Sequence, residues 1–155
     1  YEAIFRFVYK RVAEEDLTAD LTAQVFEKAM LNLKRYRFQG VPFSAWLYRI
    51  AINEVNQHFR RSQRQRVISM ERVQVGELFE EMEERDDESN LRRMLGVIQE
   101  LKPEEVQFIE LRFFEGMPFR EIAAIYHITE NNAKVRMHRL LQKLKQRMQA
   151  GRPPA

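Results

Sequence analysis

The sequence predicts an all-α protein of two small helical domains joined by a flexible acidic linker. Apolar residues recur with a period near 3.6, no stretch alternates as a strand does, and only five Gly and five Pro are present. Residues 1–66, 67–90 and 91–155 carry net charges of +5, −7 and +5. We therefore expect domains at 1–66 and 91–150, a linker at 67–90 and a frayed tail at 151–155.

Composition removes several classes of function. Hydrophobic residues make up 45% of the 155 residues, which is enough for packed cores, and no apolar run is long enough to span a membrane. Cysteine is absent, which excludes disulfides, thiolate metal sites and cysteine nucleophiles. No signal-like segment is visible, although the sequence begins at Tyr1 rather than Met.

Three helices are predicted in the first domain, at about Tyr1–Val12, Thr18–Tyr36 and Phe43–Arg61, with a loop containing Gly40 and Pro42 before the third. The second helix has an apolar stripe at Leu21, Val25, Phe26, Ala29, Leu33 and Tyr36. The core side of the third consists of Trp46, Leu47, Ile50, Ala51, Val55 and Phe59. These stripes predict a helical bundle.

The connector contains the run GELFEEMEERDDES, whose like charges predict a solvated or weakly helical segment. Helical periodicity resumes at Leu91, and Pro103 begins a further helix that Gly116 ends. A solvated tether is the simplest interpretation of the connector. Alternatively, residues 77–88 shield the two basic domains from each other's DNA when the chain is free.

Residues 116–147, GMPFREIAAIYHITENNAKVRMHRLLQKLKQR, have the outline of a helix-turn-helix. The first helix, roughly Pro118–Tyr126, has small Ala123 where a second helix approaches closely, and Thr129 is the predicted N-cap of that second helix. The inward positions are Phe119, Ile122, Ala123 and Tyr126 on the first helix and Ala133, Met137, Leu140, Leu141 and Leu144 on the second.

The outer face of the second helix is rich in amides and cations, which suit base edges and phosphates. A surface helix with a solvated charged face is the alternative. The turn length, Ala123 and the basic second helix favour DNA binding. The predicted contacts are Asn131, Asn132, Lys134, Val135, Arg136, His138, Arg139 and Lys143.

Aromatic and basic residues alternate in a second stretch, Gly40–Arg66, where cations hold a strand and rings stack on unpaired bases. Eight Lys and Arg lie between Lys34 and Arg66, against the single acid Glu54. We expect Trp46 and Phe43 to belong to the core, since large aromatics dominate small cores. Either Tyr36 or Phe38 is then the exposed stacking ring.

Three segments together resemble a bacterial RNA polymerase sigma factor of the extracytoplasmic-function class, group 4 of the sigma-70 family. They are ADLTAQVFEKAM, PFSAWLYRIAIN and LKPEEVQFIELRFFEGMPFREIAAIYHITENNAKVRMHRL. The resemblance covers all but the connector and the tail. It implies sigma region 2 at 1–66 and sigma region 4 at 91–150.

The resemblance also implies roles for individual residues. Asp20, Gln24 and Glu27 would dock on the β′ coiled coil of core polymerase, and Asn53 would help to form the pocket for a flipped base of the minus 10 element. The second helix of the helix-turn-helix would enter the major groove at minus 35, with its domain on the β flap. The implied minus 10 and melting residues are Tyr36, Phe38, Arg49, Asn53, Asn56, Arg60 and Arg61.

Some residues depart from the family pattern. Ala19 stands where an acid is common, and Asn131, Asn132 and Val135 replace small or polar residues, so base specificity is not predictable. His127 occupies a turn position where Gly is usual, which predicts a left-handed backbone at that residue.

We expect a dissociable specificity subunit without catalytic residues, cofactor or metal. Its expected partners are core polymerase, promoter DNA and an anti-sigma factor, in the bacterial cytoplasm and at the nucleoid when in holoenzyme. His58, His127 and His138 are too far apart for a metal motif. The alternative is an autonomous helix-turn-helix regulator that needs no polymerase.

Overall fold

The computed structural model describes residues 1–38, 40–62 and 72–151, and this part of the chain is helical without any strand. The predicted all-α class with two helical domains is confirmed, because the chain divides into two compact units. The predicted limit at residue 66, the start of the linker and the tail from 152 lie outside the described residues. The helices are α1 Glu2–Val12, α2 Glu15–Asn32, α3 Phe43–Ser62, α4 Arg72–Glu81, α5 Glu88–Glu100, α6 Pro103–Ile109, α7 Phe119–Tyr126 and α8 Glu130–Ala150.

In the first unit, α1, α2 and α3 each pack on the other two. Arg11 is buried within this core: its guanidinium carbon is 3.5 Å from the ring centroid of Phe7, and its Nη1 donates to the Phe7 carbonyl at 2.6 Å. The buried apolar residues include Ile4, Phe7, Val8, Leu21, Val25, Ala29, Ala45, Ala51, Ile52 and Val55.

The end of α2 differs from the prediction. The helix stops at Asn32, and a short 3-10 helix, Leu33–Arg35, follows. Since the tighter turn rotates later side chains off the predicted stripe, Leu33 is 53% exposed. The prediction that Leu33 belongs to the core is therefore wrong.

The acidic connector contains a helix that was not assigned from the sequence. Four apolar side chains at helical spacing are buried in α4 and the turn that follows it: Val75, Leu78, Phe79 and Met82. Helix α4 packs on the segment Glu110–Phe114. Of the two forms expected for the acidic run, the solvated one is wrong for these residues and the helical one is observed, because four apolar side chains share one face among the acids. The carboxylates of Glu77, Glu80 and Glu81 remain exposed.

The second unit comprises α4 to α6, α7 as far as Ala123, and α8, with α8 packed on α5 and α6. α6 continues as one π-helical turn, Glu110–Phe114, and Gly116 then reverses the chain with φ +63°. The Met117 N–H donates to the Leu111 carbonyl at 3.0 Å across this turn. No helix among the described residues combines the length and apolarity needed to cross a membrane.

We expect Gly116→Ala and Gly96→Ala to have opposite effects on stability. A Cβ at either position meets no atom within 4 Å, so only the backbone matters. Gly116→Ala should lower the free energy of unfolding by about 1 kcal/mol, because alanine disfavours positive φ. Gly96→Ala, inside α5, should raise it by about 1 kcal/mol. Urea unfolding followed by circular dichroism measures both, and a stable Gly116→Ala variant would contradict the backbone requirement.

Candidate nucleic-acid interface

Three rings form a cluster where the chain enters α3. The ring centroid of Tyr36 lies 5.1 Å from those of Phe43 and Trp46, which are 5.3 Å apart. Phe43 is 42% exposed and Trp46 is half-buried, so neither is the core residue that was predicted. In the first turn of α3 they pack on each other and on Tyr36 instead of the bundle interior. Phe38, 75% exposed, is the ring left open to solvent.

Four of the five predicted minus 10 residues of α3 share one face, because positions 49, 53, 56 and 60 follow helical spacing. Asn53, Arg60 and Arg61 are exposed, whereas Arg49 and Asn56 are half-buried. Together these residues give α3 a polar, cationic side.

Asn53 opens into a surface pocket of about 240 Å³ between α2 and α3. The pocket brings amides from Asn32 and Gln57 to Asn53, and both were missed in the sequence. At its base the buried Glu54 accepts a hydrogen bond from Lys28 of α2. No local pattern reveals this pair, since 26 residues separate its members. The full lining is Lys28, Asn32, Ile50, Asn53, Glu54, Gln57 and Arg60.

The solvent side of α2 displays Asp20, Gln24 and Glu27, the predicted polymerase-binding residues, all exposed. Leu31 continues this row at helical spacing and is 75% exposed, and adjacent Met30 is 77% exposed. These two apolar residues were also missed in the sequence. The sequence did offer a signal for them, because a leucine and a methionine fall beside the polar row on the solvent side of the predicted helix.

In the second unit, the predicted inner face of α8 is confirmed, since Ala133, Met137, Leu140, Leu141 and Leu144 are buried. Thr129 is the predicted N-cap: its hydroxyl oxygen accepts from the Asn132 N–H at 3.1 Å. His127 has φ 56°, the left-handed backbone expected there. On α7, Ile122 and Ala123 are buried, whereas Phe119 and Tyr126 are half-buried.

The outer face of α8 is exposed at seven of the eight predicted positions. Lys134 Nζ lies 3.7 Å from Glu130, an exposed pair within the same helix. The Arg136 guanidinium lies 5.8 Å from the ring centroid of Phe108. The exposed residues are Asn131, Asn132, Lys134, Val135, Arg136, His138 and Arg139.

Lys143, the eighth position, is half-buried and directed toward α6. Its Nζ donates to both carboxylate oxygens of Glu105, at 3.0 and 2.9 Å, and Glu105 also accepts from the Lys102 N–H at 3.1 Å. Burial raises the pKa of Glu105, but these hydrogen bonds and the two lysine charges outweigh burial and hold that pKa below its ordinary value. The pair therefore ties α8 to α6.

The described residues hold no group of three or more His, Asp or Glu side chains arranged to bind a metal ion. His127 and His138 are exposed, and His58 is half-buried with its ring 5.3 Å from that of Phe59.

Known families match both units. The model for sigma-70 region 2 matches residues 1–65, and the model for sigma-70 region 4 matches residues 97–146. The chain belongs to the sigma-70 family of RNA polymerase sigma factors, in the extracytoplasmic-function (ECF) class. Region 2 thus contains α1 to α3, region 4 contains the helix-turn-helix, and α4 lies between the matched regions.

Curated relatives are similar along most of the chain. It is 29% identical to the ECF RNA polymerase sigma factor BldN of Streptomyces coelicolor, over 92% of this chain and 55% of BldN. It is 29% identical to the RNA polymerase sigma factor CarQ of Myxococcus xanthus, over 90% of this chain and 79% of CarQ. The ECF sigma factor SigD of Mycobacterium tuberculosis is 32% identical, with coverages of 86% and 65%. The chain thus spans about half the length of BldN.

A solved structure has the same fold. The sigma factor RpoE of Bartonella quintana, crystallised with the anti-sigma factor NepR, aligns with a TM-score of 0.56 and 19% identity. The alignment covers 97% of this chain and 92% of RpoE. At this identity the match shows the shared fold.

A double-mutant cycle measures the link between Lys143 and Glu105. We expect Glu105→Gln and Lys143→Met to have a coupling free energy of unfolding of about 1 kcal/mol at pH 7, because the pair is partly shielded and doubly hydrogen-bonded. The exposed pair Glu130 and Lys134 is the control, and the cycle of Glu130→Gln with Lys134→Met should give less than about 0.5 kcal/mol. Equal coupling free energies in the two cycles would contradict the conclusion that the bond between Lys143 and Glu105 ties α8 to α6.

The same coupling should depend on pH. The pKa of Glu105 is lower in the folded than in the unfolded chain, so the pair stabilises the fold at neutral pH. This contribution should disappear as the pH falls through the folded-state pKa and the carboxylate is protonated.

Proposed function

We propose that this chain is a dissociable specificity subunit of bacterial RNA polymerase. It binds core polymerase, directs it to minus 35 and minus 10 elements, and helps to melt the DNA without chemistry of its own. The observation that supports this best is that each unit has a polar surface suited to nucleic acid: an amide-lined pocket at Asn53 and the exposed polar side of α8. A protein that binds only duplex DNA does not need the amide-lined pocket.

The region 2 face suits a single strand. An extruded base needs a pocket with hydrogen-bonding groups and a ring on which to stack. Asn53, Asn32 and Gln57 supply the amides, and Arg60 supplies a cation for the backbone. Phe38 is the stacking ring in this proposal, because Tyr36 already packs on Phe43 and Trp46. Arg49, Asn56 and Arg61 extend the contact along α3.

The region 4 face suits the major groove at minus 35. Asn131, Asn132 and Val135 lie in the first two turns of α8, where a recognition helix contacts base edges, while Lys134, Arg136 and Arg139 provide phosphate contacts. His138 is exposed on the same helix. Lys143 takes part mainly by setting the position of α8 through Glu105.

The solvent side of α2 is the proposed docking surface for the β′ coiled coil. Asp20, Gln24, Glu27 and Leu31 are spaced by four, three and four residues, which is the heptad spacing of helices that pack side by side. Exposed Leu31 and Met30 supply apolar area that the polar row lacks. Region 4 would rest on the β flap.

Further partners and location follow from family membership. We propose that an anti-sigma factor binds the chain and holds it inactive, since the similar RpoE was crystallised in complex with the anti-sigma factor NepR. Its place of action is then the bacterial cytoplasm, and the nucleoid when it is part of holoenzyme.

Arg139→Ala and Asn53→Ala should separate the two DNA functions in reconstituted holoenzyme. Arg139→Ala removes a phosphate contact, so it should lower the slope of log K against log salt by about one unit. Asn53→Ala should slow promoter opening about tenfold through lost base contacts, with upstream binding unchanged. Arg147→Ala, the same change in the last turn of α8, is the control and should alter neither.

Filter binding over a salt series and permanganate reactivity of unpaired thymines measure these effects. Loss of upstream binding in Asn53→Ala, with normal melting, would reverse the domain assignment. Tight specific binding of promoter duplex by the chain alone, with no melting on core polymerase, would support the autonomous regulator.

Leu31→Asp should weaken binding to core polymerase about tenfold without lowering the melting temperature, because Leu31 is exposed and contributes nothing to the core. Tyr9→Asp introduces the same charge on α1, at an exposed apolar residue outside the proposed surface, and should bind normally. Fluorescence anisotropy of labelled chain titrated with core enzyme gives both affinities. Equal loss in the two variants would place the docking surface elsewhere.

A further inference from the structure

A groove of about 420 Å³ in the second unit has opposite charges on its two sides. Glu81 and Glu83, at the end of α4, contribute carboxylates. Lys134, His138 and Lys145 of α8 line the same groove. The end of the acidic helix is therefore adjacent to the side of α8 proposed to contact DNA.

The acidic end of α4 is fixed rather than loosely tethered. Leu78, Phe79 and Met82 are at most 4% exposed, so they anchor the last turn of α4 in the unit. Glu83 has φ 56°, and its N–H donates to the Glu80 carbonyl at 3.1 Å. The Glu84 N–H donates to the Phe79 carbonyl at 3.0 Å, which closes the helix end.

This position opposes DNA binding for an electrostatic reason. Phosphates that approach Lys134 and His138 also approach the carboxylates of Glu81 and Glu83. Like charges at short range repel, and the carboxylates reduce the positive potential that attracts DNA.

We propose that the end of α4 is an autoinhibitory element that competes with DNA phosphate for the cationic face of α8. This inference rests on the proposed role of α8 as the DNA-reading helix. It assigns a function to α4, which lies outside both matched sigma regions. The competing segment belongs to the same unit as α8, so the inhibition needs no partner.

The test compares two double variants of the full chain that have the same net charge. Glu81→Gln with Glu83→Gln removes the carboxylates that line the groove, and Glu77→Gln with Glu80→Gln removes two exposed carboxylates of α4 outside it. Fluorescence anisotropy with a labelled minus 35 duplex at low salt gives the affinities. We expect the groove variant to bind about fivefold tighter than the parent chain and the control variant less than about twofold tighter, since screening weakens distant charges.

Equal tightening in both variants would show a general effect of net charge and would overturn the proposal, as would unchanged affinity in both. All four substituted side chains are exposed, and circular dichroism melts verify that the variants are folded. Lys134→Ala in the parent chain distinguishes failure of the proposed autoinhibition by α4 from failure of the proposed DNA binding by α8. If it weakens binding while the groove variant has no effect, α8 reads DNA and α4 is not inhibitory; if it changes nothing, the proposed function of α8 fails.

Discussion

The burial of one face of α8 is the constraint on which the second unit depends. Six side chains, from Ala133 to Met148, are buried along a helix of 21 residues. Because side chains on a helix are fixed in direction by its period, this burial leaves the opposite face in solvent. The amides and cations on that face are therefore exposed as a direct result of the burial of the other face. Thr129 and the left-handed His127 set where the helix begins, and the bond to Glu105 ties it to α6.

Burial of one face also orients α3, but its exposed surface carries aromatic rings as well as polar side chains. Only its small and medium residues, such as Ala51, Ile52 and Val55, are fully buried. The large rings at its start collect on the surface, where Tyr36 joins them from the preceding loop. Their mutual packing leaves Phe38 open to solvent, while the contact of Lys28 with the buried Glu54 links α2 and α3 at the amide pocket.

Local features of this protein could be predicted from its sequence, and features that depend on distant residues could not. The apolar period located α8 and its inner face, and cap chemistry located Thr129. By contrast, the bond between Lys143 and Glu105 could not be predicted, because 38 residues separate the two. Helix α4 was missed because its acids dominate the composition, although four apolar residues anchor it. Phe43 was expected in the core because of its size, but its packing on Tyr36 and Trp46 at the surface determines its exposure.

The exposed apolar residues of the first unit affect how the chain behaves before assembly. Met30, Leu31 and Phe38 are each at least 75% exposed, and Leu33 is 53% exposed. Uncovered apolar area promotes self-association, so these residues favour association of the free chain more strongly as its concentration rises. A partner that covers these residues removes this liability and stabilises the fold by mass action.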